Sequence, residues 1–478
     1  MQTVVLFGAS KVGENAYNNL QNSYKIIYFC DNDPNKWGKK FCGIQVLSPS
    51  DLEKIDDLYV IITSMYTYEI AQQLISKGIT SFGIYRHAIY ESEQVETYEI
   101  EHFDFSQDIK IDDINKNICL ITTSNSGSNI LALFKMIPKS IADKYNISLC
   151  HAAEMKNDFF MGYDFMREVI SNKMILFDVR SPRYKMEHNV FFQLWHGFPL
   201  KGLGFTSKLS AESSEKSHNH FRLYDLIASY SPFYNTILSA CMGIPTCKFR
   251  ITGMPRNDFL FKSNGRENLF EITEKNITGK RIIYFMPTYR NSPWLNEKSG
   301  AKKWSNIFGM ENFNSEKFDS YLEENNLLVV FKTHPLEETE VQAYIKEFEL
   351  KNIILLTNKM LVDNNLDLYE TLNAADLLIT DYSSVYFDFL LLNRPMVFVP
   401  IDLVEYGETR GFTLEPYEMW TPGPKVIKQE HLEREILKSL DSRDYYENER
   451  SRMLDLCHTY KDGNASNRVW EIILEYMR

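Results

Sequence analysis

The sequence predicts an α/β protein built on parallel sheets, and three observations predict it. Short apolar runs alternate with helical patterns along the whole chain. Several of these runs empty into Thr, His, Lys, Arg or Asp followed by proline or glycine, as strands do at the binding edge of a doubly wound sheet. The length of 478 residues, with 44% hydrophobic and 24% charged, gives room for two or three ordinary soluble cores.

The first strand is Thr3-Val4-Val5-Leu6-Phe7, apolar throughout and so buried on both faces. It runs into Gly8-Ala9-Ser10-Lys11-Val12-Gly13, then a helical stretch through Leu20, then a strand at residues 25–30 that ends at Asp31. A strand at 58–63, a helix at 67–77 and a short strand near Ile84 complete the unit. Strand, glycine turn, helix, strand and acid, with about 20 residues between turn and acid, is the order of a Rossmann-like unit. Gly8, Ser10, Gly13 and Asp31 are its candidate nucleotide contacts. Ser10, however, stands where the middle glycine lets a pyrophosphate approach. Residues 1–95 are therefore read as a Rossmann-like docking or regulatory domain. Residues 96–117, rich in Glu and Asp and free of glycine and proline, are expected to be an acidic linker.

A second sheet opens at residues 118–123. The loop Ser124-Asn125-Ser126-Gly127-Ser128-Asn129 leads into a helix and reads either as an anion site or as an N-cap. Strands follow at 147–150, 174–177 and 189–194. The last empties into Trp195-His196-Gly197-Phe198-Pro199-Leu200-Lys201-Gly202. A titratable imidazole at the end of an apolar strand, before a Gly/Pro loop, stands where open α/β sheets place ligands. A satisfied core histidine is the alternative. Strands at 226–229 and 249–251 close this domain, bounded at 118–265.

The third domain, 266–478, repeats the grammar. Its strands end in Pro287-Thr288-Tyr289-Arg290, in Lys332-Thr333-His334-Pro335 and in Asp381-Tyr382-Ser383-Ser384. Ser383 and Ser384 open a helix where a strand stops, so their hydroxyls and the free amides of the first turn suit a diphosphate. A capped helix without ligand is the alternative there. Arg290 and His334, at neighbouring strand ends, supply a charged fork and a switchable donor.

A net charge of -12 excludes a broad nucleic-acid surface and leaves a local basic pocket for an anionic small molecule. Seven dispersed cysteines, with no C-x-x-C pair and no zinc spacing, suit a reducing cytoplasm. No signal peptide is read at the start, and no apolar run nears the ~20 residues that span a bilayer. The expectation is a cytoplasmic protein, at most peripheral to a membrane. Val469, Trp470, Ile473, Tyr476 and Met477 share a face of the last helix, a pattern that more often packs on its own domain than on lipid.

Taken in order, six stretches resemble the CDP-glycerol glycerophosphotransferases, the teichoic-acid primase and polymerase family: residues 194–201, 251–258, 286–290, 331–335 and 380–384, then Arg410-Gly411-Phe412 with Pro422-Gly423-Pro424. The ending Asp462-Gly463-Asn464-Ala465-Ser466 is also similar. The resemblance covers about residues 118–478. It implies a GT-B pair of Rossmann-like domains facing across a cleft, with the N-terminal domain additional to it. It implies transfer of glycerol phosphate from CDP-glycerol to a hydroxyl of a lipid-linked or polymeric acceptor, with release of CMP. No cofactor or metal-ligand cluster is implied as required. Phe198 and Thr333 depart from the family's usual residues, beside the two histidines.

On this reading His196, with an imidazole pKa near the ordinary ~6.5, accepts the proton of the acceptor hydroxyl. His334, Thr288, Arg290, Asp381, Ser383 and Ser384 hold the donor diphosphate, with Gly197, Lys201, Arg256 and Lys332 as secondary candidates. The alternatives are CDP-ribitol phosphotransfer, sugar transfer from a UDP- or CDP-linked donor, or a non-catalytic nucleotide-binding scaffold. Oligomeric state is not written in the chain.

Overall fold

The computed structural model describes residues 1–55, 57–90, 95–106, 111–152, 163–178, 185–208, 211–289, 306–442 and 444–478. These form two compact units. The first holds Met1–Asn115 with Asn157–Asn172 and Arg183–His188; the second holds Lys116–Lys156, Lys173–Pro182 and Asn189–Arg478.

The first unit carries a seven-stranded sheet of β1 (Thr3–Phe7), β2 (Lys25–Cys30), β3 (Lys40–Phe41), β4 (Ile44–Leu47), β5 (Val60–Ile62), β6 (Ser81–Tyr90) and β7 (Val95–Asp104) in the order β3-β4-β2-β1-β5-β6-β7. Its five middle strands pair in parallel. Val4, Leu6, Ala16, Leu20, Phe29 and Ile61 form its core. The glycines of the first turn serve packing. A Cβ at Gly8 would stand 2.5 Å from the Thr63 carbonyl oxygen, and one at Gly13 would stand 1.9 Å from that of Gly8. Asp31 turns inward on the same turn. Its Oδ2 accepts from the Ala9 amide at 2.8 Å and from Lys36 Nζ at 2.9 Å, while Lys36 also donates to the Ala9 carbonyl. The acid after the second strand is thus engaged by its own loop.

One expectation fails here. Residues 96–117 are not a linker throughout, because β7 pairs antiparallel with β6 over ten residues, from Ser81 opposite Asp104 to Tyr90 opposite Val95. The strand is paired along its length, and its acidic residues do not prevent a backbone ladder.

The second unit contains two all-parallel sheets. One has six strands, β8 (Asn117–Thr122), β9 (Asn146–His151), β10 (Met174–Phe177), β11 (Val190–Gln193), β12 (Leu226–Ser229) and β13 (Phe249–Ile251), ordered β13-β12-β11-β10-β8-β9. The other has five, β14 (Arg281–Met286), β15 (Leu327–Phe331), β16 (Ile353–Leu355), β17 (Leu377–Thr380) and β18 (Met396–Phe398), ordered β16-β15-β14-β17-β18. Parallel strands end on one edge, so the turns after β8, β10 and β11 share an edge, as do those after β14, β15 and β17. Every residue of β10, β12, β15 and β17 is buried, which is why they read as unbroken apolar runs.

The last helix, Ala465–Tyr476, buries Val469, Trp470 and Ile473, and Met477 just beyond its end is buried as well. Trp470 Nε1 donates to the Leu133 carbonyl, and Asp258 accepts the Ala465 and Ser466 amides at 2.8 Å each. Its apolar face is covered by the protein itself, so it offers no lipid-facing stripe. Among the described residues no helix is long and apolar enough to cross a membrane.

Candidate functional site

β11 stops abruptly, and its local geometry has identifiable causes. Gln193 is buried, donates through Nε2 to the Tyr224 hydroxyl and accepts the Trp195 amide through Oε1 at 2.9 Å. Trp195 adopts φ +51, a left-handed conformation that a bulky residue keeps only when its surroundings enforce it. Asn129 enforces it by donating to the Leu194 and Trp195 carbonyls at 3.1 and 2.7 Å. The chain then turns the His196 side chain out to solvent, its ring 4.2 Å from that of Trp195.

His196 reaches solvent, yet the protein massed around it desolvates the imidazolium. That desolvation, with the charges of Arg256, Lys201 and Arg410, lowers its pKa to about 4, well under the ordinary value expected from sequence. One ring N–H is hydrogen-bonded to the backbone of Asp178, which follows β10 on the same edge. That bond fixes the tautomer and leaves the other ring nitrogen as an acceptor. At neutral pH the group is an uncharged base.

Gly197 has φ +154, and a Cβ there would stand 2.5 Å from Ser384 Oγ. This contact brings the turn after β11 against the turn after β17, so the edges of the two sheets meet at His196 and Ser384. No described residue hydrogen-bonds the hydroxyl of Ser383 or Ser384, and Ser384 makes no side-chain cap. The helix behind them is short, Val385–Phe389, which weakens the dipole argument and leaves the hydroxyls as the main donors. Phe198 is buried with its ring stacked on Phe387 at 4.3 Å. Its departure from the family's usual residue is therefore a packing contact.

At the next strand end, His334 is exposed and its Nδ1 accepts the Leu336 amide at 3.3 Å. Its neutral form therefore carries the proton on Nε2, as a donor. Tyr289 stacks on the ring at 4.3 Å, and burial together with Lys332 lowers its pKa. No hydrogen bond or ring contact joins His334 to His196. Arg290 lies outside the described residues.

Four of the expected ligand contacts also make contacts within the protein. Arg256 is 4% exposed and donates to Asp388 Oδ2 at 2.6 Å, to the Gly127 carbonyl at 2.9 Å and to the His196 carbonyl at 2.8 Å. Burial opposes the charge of Asp388, but Arg256 and the donors Tyr369 and Asn257 hold its pKa below the usual range. Arg256 thus anchors the His196 loop through its backbone. Asp381 Oδ1 accepts the Thr288 and Tyr382 amides at 2.7 and 2.5 Å, tying the β14 and β17 ends together. Thr288 is buried at that junction. Lys332 is buried and donates to Glu338 and to the Thr333 carbonyl. Thr333, the other departure, donates to Glu337 at 2.5 Å.

The Ser124–Asn129 turn resolves its two readings in an unexpected way. Ser128 caps the helix by accepting the Leu131 amide, and the amides of Gly127 and Ser128 both donate to Asp367 Oδ2, at 3.0 and 2.9 Å. The anion site exists, and a carboxylate of the same chain fills it. Asp178 and Arg410 are neighbours of His196 that strand-end reasoning left out. Asp178 directly follows a strand, and Arg410 heads one of the quoted motifs, which was the available signal.

A family model described as CDP-glycerol:poly(glycerophosphate) glycerophosphotransferase matches residues 165–475, and one described as C2185-like, N-terminal, matches residues 1–84. The chain is 29% identical over 321 residues to a teichoic acid glycerol-phosphate transferase of Staphylococcus aureus, covering 63% of this chain and 76% of that protein. It is 27% identical over 393 residues to a teichoic acid poly(glycerol phosphate) polymerase of Bacillus spizizenii, covering 74% and 91%. Against the teichoic acid ribitol-phosphate polymerase TarL of Staphylococcus aureus it is 28% identical over 61% of this chain, but spans only 48% of that protein. The solved wall teichoic acid polymerase TagF superposes with a TM-score of 0.61 at 20% identity, over 78% of this chain and 91% of that one. The shared fold is mixed α/β, with parallel sheets in a GT-B-like arrangement.

Proposed function

The chain belongs to the CDP-glycerol:poly(glycerophosphate) glycerophosphotransferase family, and on that premise we propose that it moves glycerol phosphate from CDP-glycerol to a hydroxyl of a lipid-linked or polymeric acceptor in teichoic-acid-like polymer synthesis. The observation that supports the site assignment is the approach of Gly197 to Ser384, which sets the turn carrying the neutral His196 against the turn carrying the unengaged Ser384 hydroxyl. The acceptor oxygen bonds to the β-phosphorus of the donor, the bond from that phosphorus to the CMP oxygen breaks, and His196 takes the hydroxyl proton. His334, through Nε2–H, and Ser383 and Ser384, through their hydroxyls, stabilise the charge that grows on the departing CMP. Arg290 is a further candidate for that role. Residues 118–265 and 266–478 are read as the acceptor and donor halves of the GT-B pair, with residues 1–95 as a docking or regulatory module. A lipid-linked acceptor would bring the protein to the cytoplasmic face of a membrane.

Release of CMP from CDP-glycerol by His196→Ala and His334→Ala variants, each checked for folding, tests the roles. His196→Ala should lose about 10²–10⁴-fold in turnover while still binding donor. His334→Ala should weaken donor binding. Near-wild-type turnover by a folded His196→Ala protein would remove the base assignment. The second reading, ribitol phosphate transfer, is favoured by the 28% identity to TarL, close to the 29% of the glycerol-phosphate transferase. Nucleotide release from CDP-glycerol, CDP-ribitol and UDP-sugars in parallel separates these donors.

A further inference from the structure

The geometry points to Arg410 as a phosphate-binding residue beside His196, an inference that rests on the transferase reading above. The loop after His196 is sewn to the segment after Arg410. The Thr413 amide donates to the Leu200 carbonyl at 2.8 Å, the Gly202 amide to the Gly411 carbonyl at 2.8 Å, and Thr413 Oγ1 to the Lys201 carbonyl at 2.9 Å. Lys208 closes the seam by donating its amide to the Arg410 carbonyl at 3.3 Å. A Cβ at Gly202 would stand 2.5 Å from that carbonyl oxygen, so only glycine admits Arg410 so close. The backbone of Arg410 is therefore as firmly placed as the His196 loop itself.

Its side chain is not engaged in the same way. Arg410 is half-buried, its Nε is sealed from solvent without a hydrogen-bond partner, and no described residue pairs with its guanidinium. A buried N–H left unpaired is costly enough to require an explanation, and a planar fork of donors matches a phosphate. The charged groups around His196 show what is missing. Arg256, Lys201 and Arg410 all press positive charge on His196; Arg256 is paired with Asp388, and Arg410 has no described partner. A phosphate held by Arg410 would complete that field and restore the proton affinity of His196, linking substrate arrival to readiness of the base. The phosphate is either the one being transferred or the phosphodiester at the acceptor's end.

The test uses the full chain with ¹⁵N-labelled histidine. The His196 titration is followed by NMR with and without inorganic phosphate, at matched ionic strength, in wild type, Arg410→Gln and Arg410→Lys. Phosphate should shift the wild-type titration upward, Arg410→Gln should abolish the shift, and Arg410→Lys should keep part of it. In steady state, Arg410→Gln should lose about 10–100-fold in kcat/KM, the scale of charge-assisted hydrogen bonds. A loss seated in the KM for CDP-glycerol assigns the site to the transferred phosphate, and one seated in the KM for acceptor assigns it to the acceptor's phosphodiester. Should Arg410→Gln not fold, Arg410→Lys and the wild-type phosphate response decide. A wild-type His196 that ignores phosphate, or an equal response and equal kcat/KM in wild type and Arg410→Gln, overturns the inference. Absence of CMP release by wild type from any donor overturns the transferase reading instead, and leaves the phosphate titration readable.

Discussion

Two strand-to-helix turns of the second unit, Ser124–Asn129 after β8 and Tyr382–Ser384 after β17, are written in the same serine-rich grammar and end in opposite states. The first presents two backbone amides to an anion and already holds one, the Asp367 carboxylate. The second presents two hydroxyls that nothing in the described protein engages. Local sequence makes an anion-ready turn; a residue some 240 positions away decides whether the turn becomes a joint or a binding site. Arg256 connects the two, since its Nη1 donates to Gly127 of the filled turn while its Nη2 meets Asp388, on the helix behind the open one.

The comparison breaks first at that connection. Arg256→Gln, or Asp388→Asn, leaves one member of a fully buried ion pair uncompensated. Denaturant unfolding should show a loss of about 3–5 kcal/mol, with turnover falling because the His196 carbonyl loses its anchor. A stability unchanged in both variants would refute the joint. The filled turn is tested next, by pH. Burial pushes the pKa of Asp367 up to about 7, against amide donors that favour the charge. A carboxyl raised above its unfolded value stabilises below the unfolded pKa and loses that contribution as pH rises through the folded one. Between pH 5 and 8 the wild type should lose about 2–3 kcal/mol that Asp367→Asn does not, at about 1.4 kcal/mol per unit. Asp178, raised to about 6, adds a slope of the same sign in both proteins.

The open turn is probed by Ser383→Ala with Ser384→Ala. Donor kcat/KM should fall about 10–100-fold with little change in unfolding, whereas Ser126→Ala in the filled turn should cost about 1 kcal/mol in stability and nothing in donor affinity. Equal donor effects from both turns would erase the distinction. The smallest effect concerns the neighbouring base. The acid limb of kcat/KM governed by His196 should lie well below pH 6.5 in the free enzyme, and Lys201→Gln, which removes a nearby cation, should move it upward.

Much of this architecture was legible because buried parallel strands announce themselves as apolar runs, and because His196, His334, Ser383 and Ser384 do stand at strand ends. β7 was hidden by Glu96, Glu99, Glu101 and Asp104, whose charge outweighed the strand-forming Val95, Thr97, Tyr98, Ile100 and Phe103 between them. At the site, a basic residue in a glycine- and proline-rich loop reads as a phosphate ligand, and its protein partner stays hidden. Arg256 finds Asp388 132 positions away, and no local pattern carries that information. Lys332 is a different case. Its partner Glu338 lies only six positions on, but the burial of the lysine emerged only with the fold. Asp381, read as a ligand contact, also braces two strand ends.

The segment Arg256-Asn257-Asp258 has a consequence for how the molecule comes into being. Its first residue anchors the His196 loop, and its third clasps the amides of Ala465 and Ser466. A chain emerging from the ribosome therefore carries its imidazole for more than 250 residues of synthesis before that clasp can close. Nascent chains halted before position 465 would carry every proposed reactive group and still lack the closed clasp beside the loop, so competence would arrive late in translation.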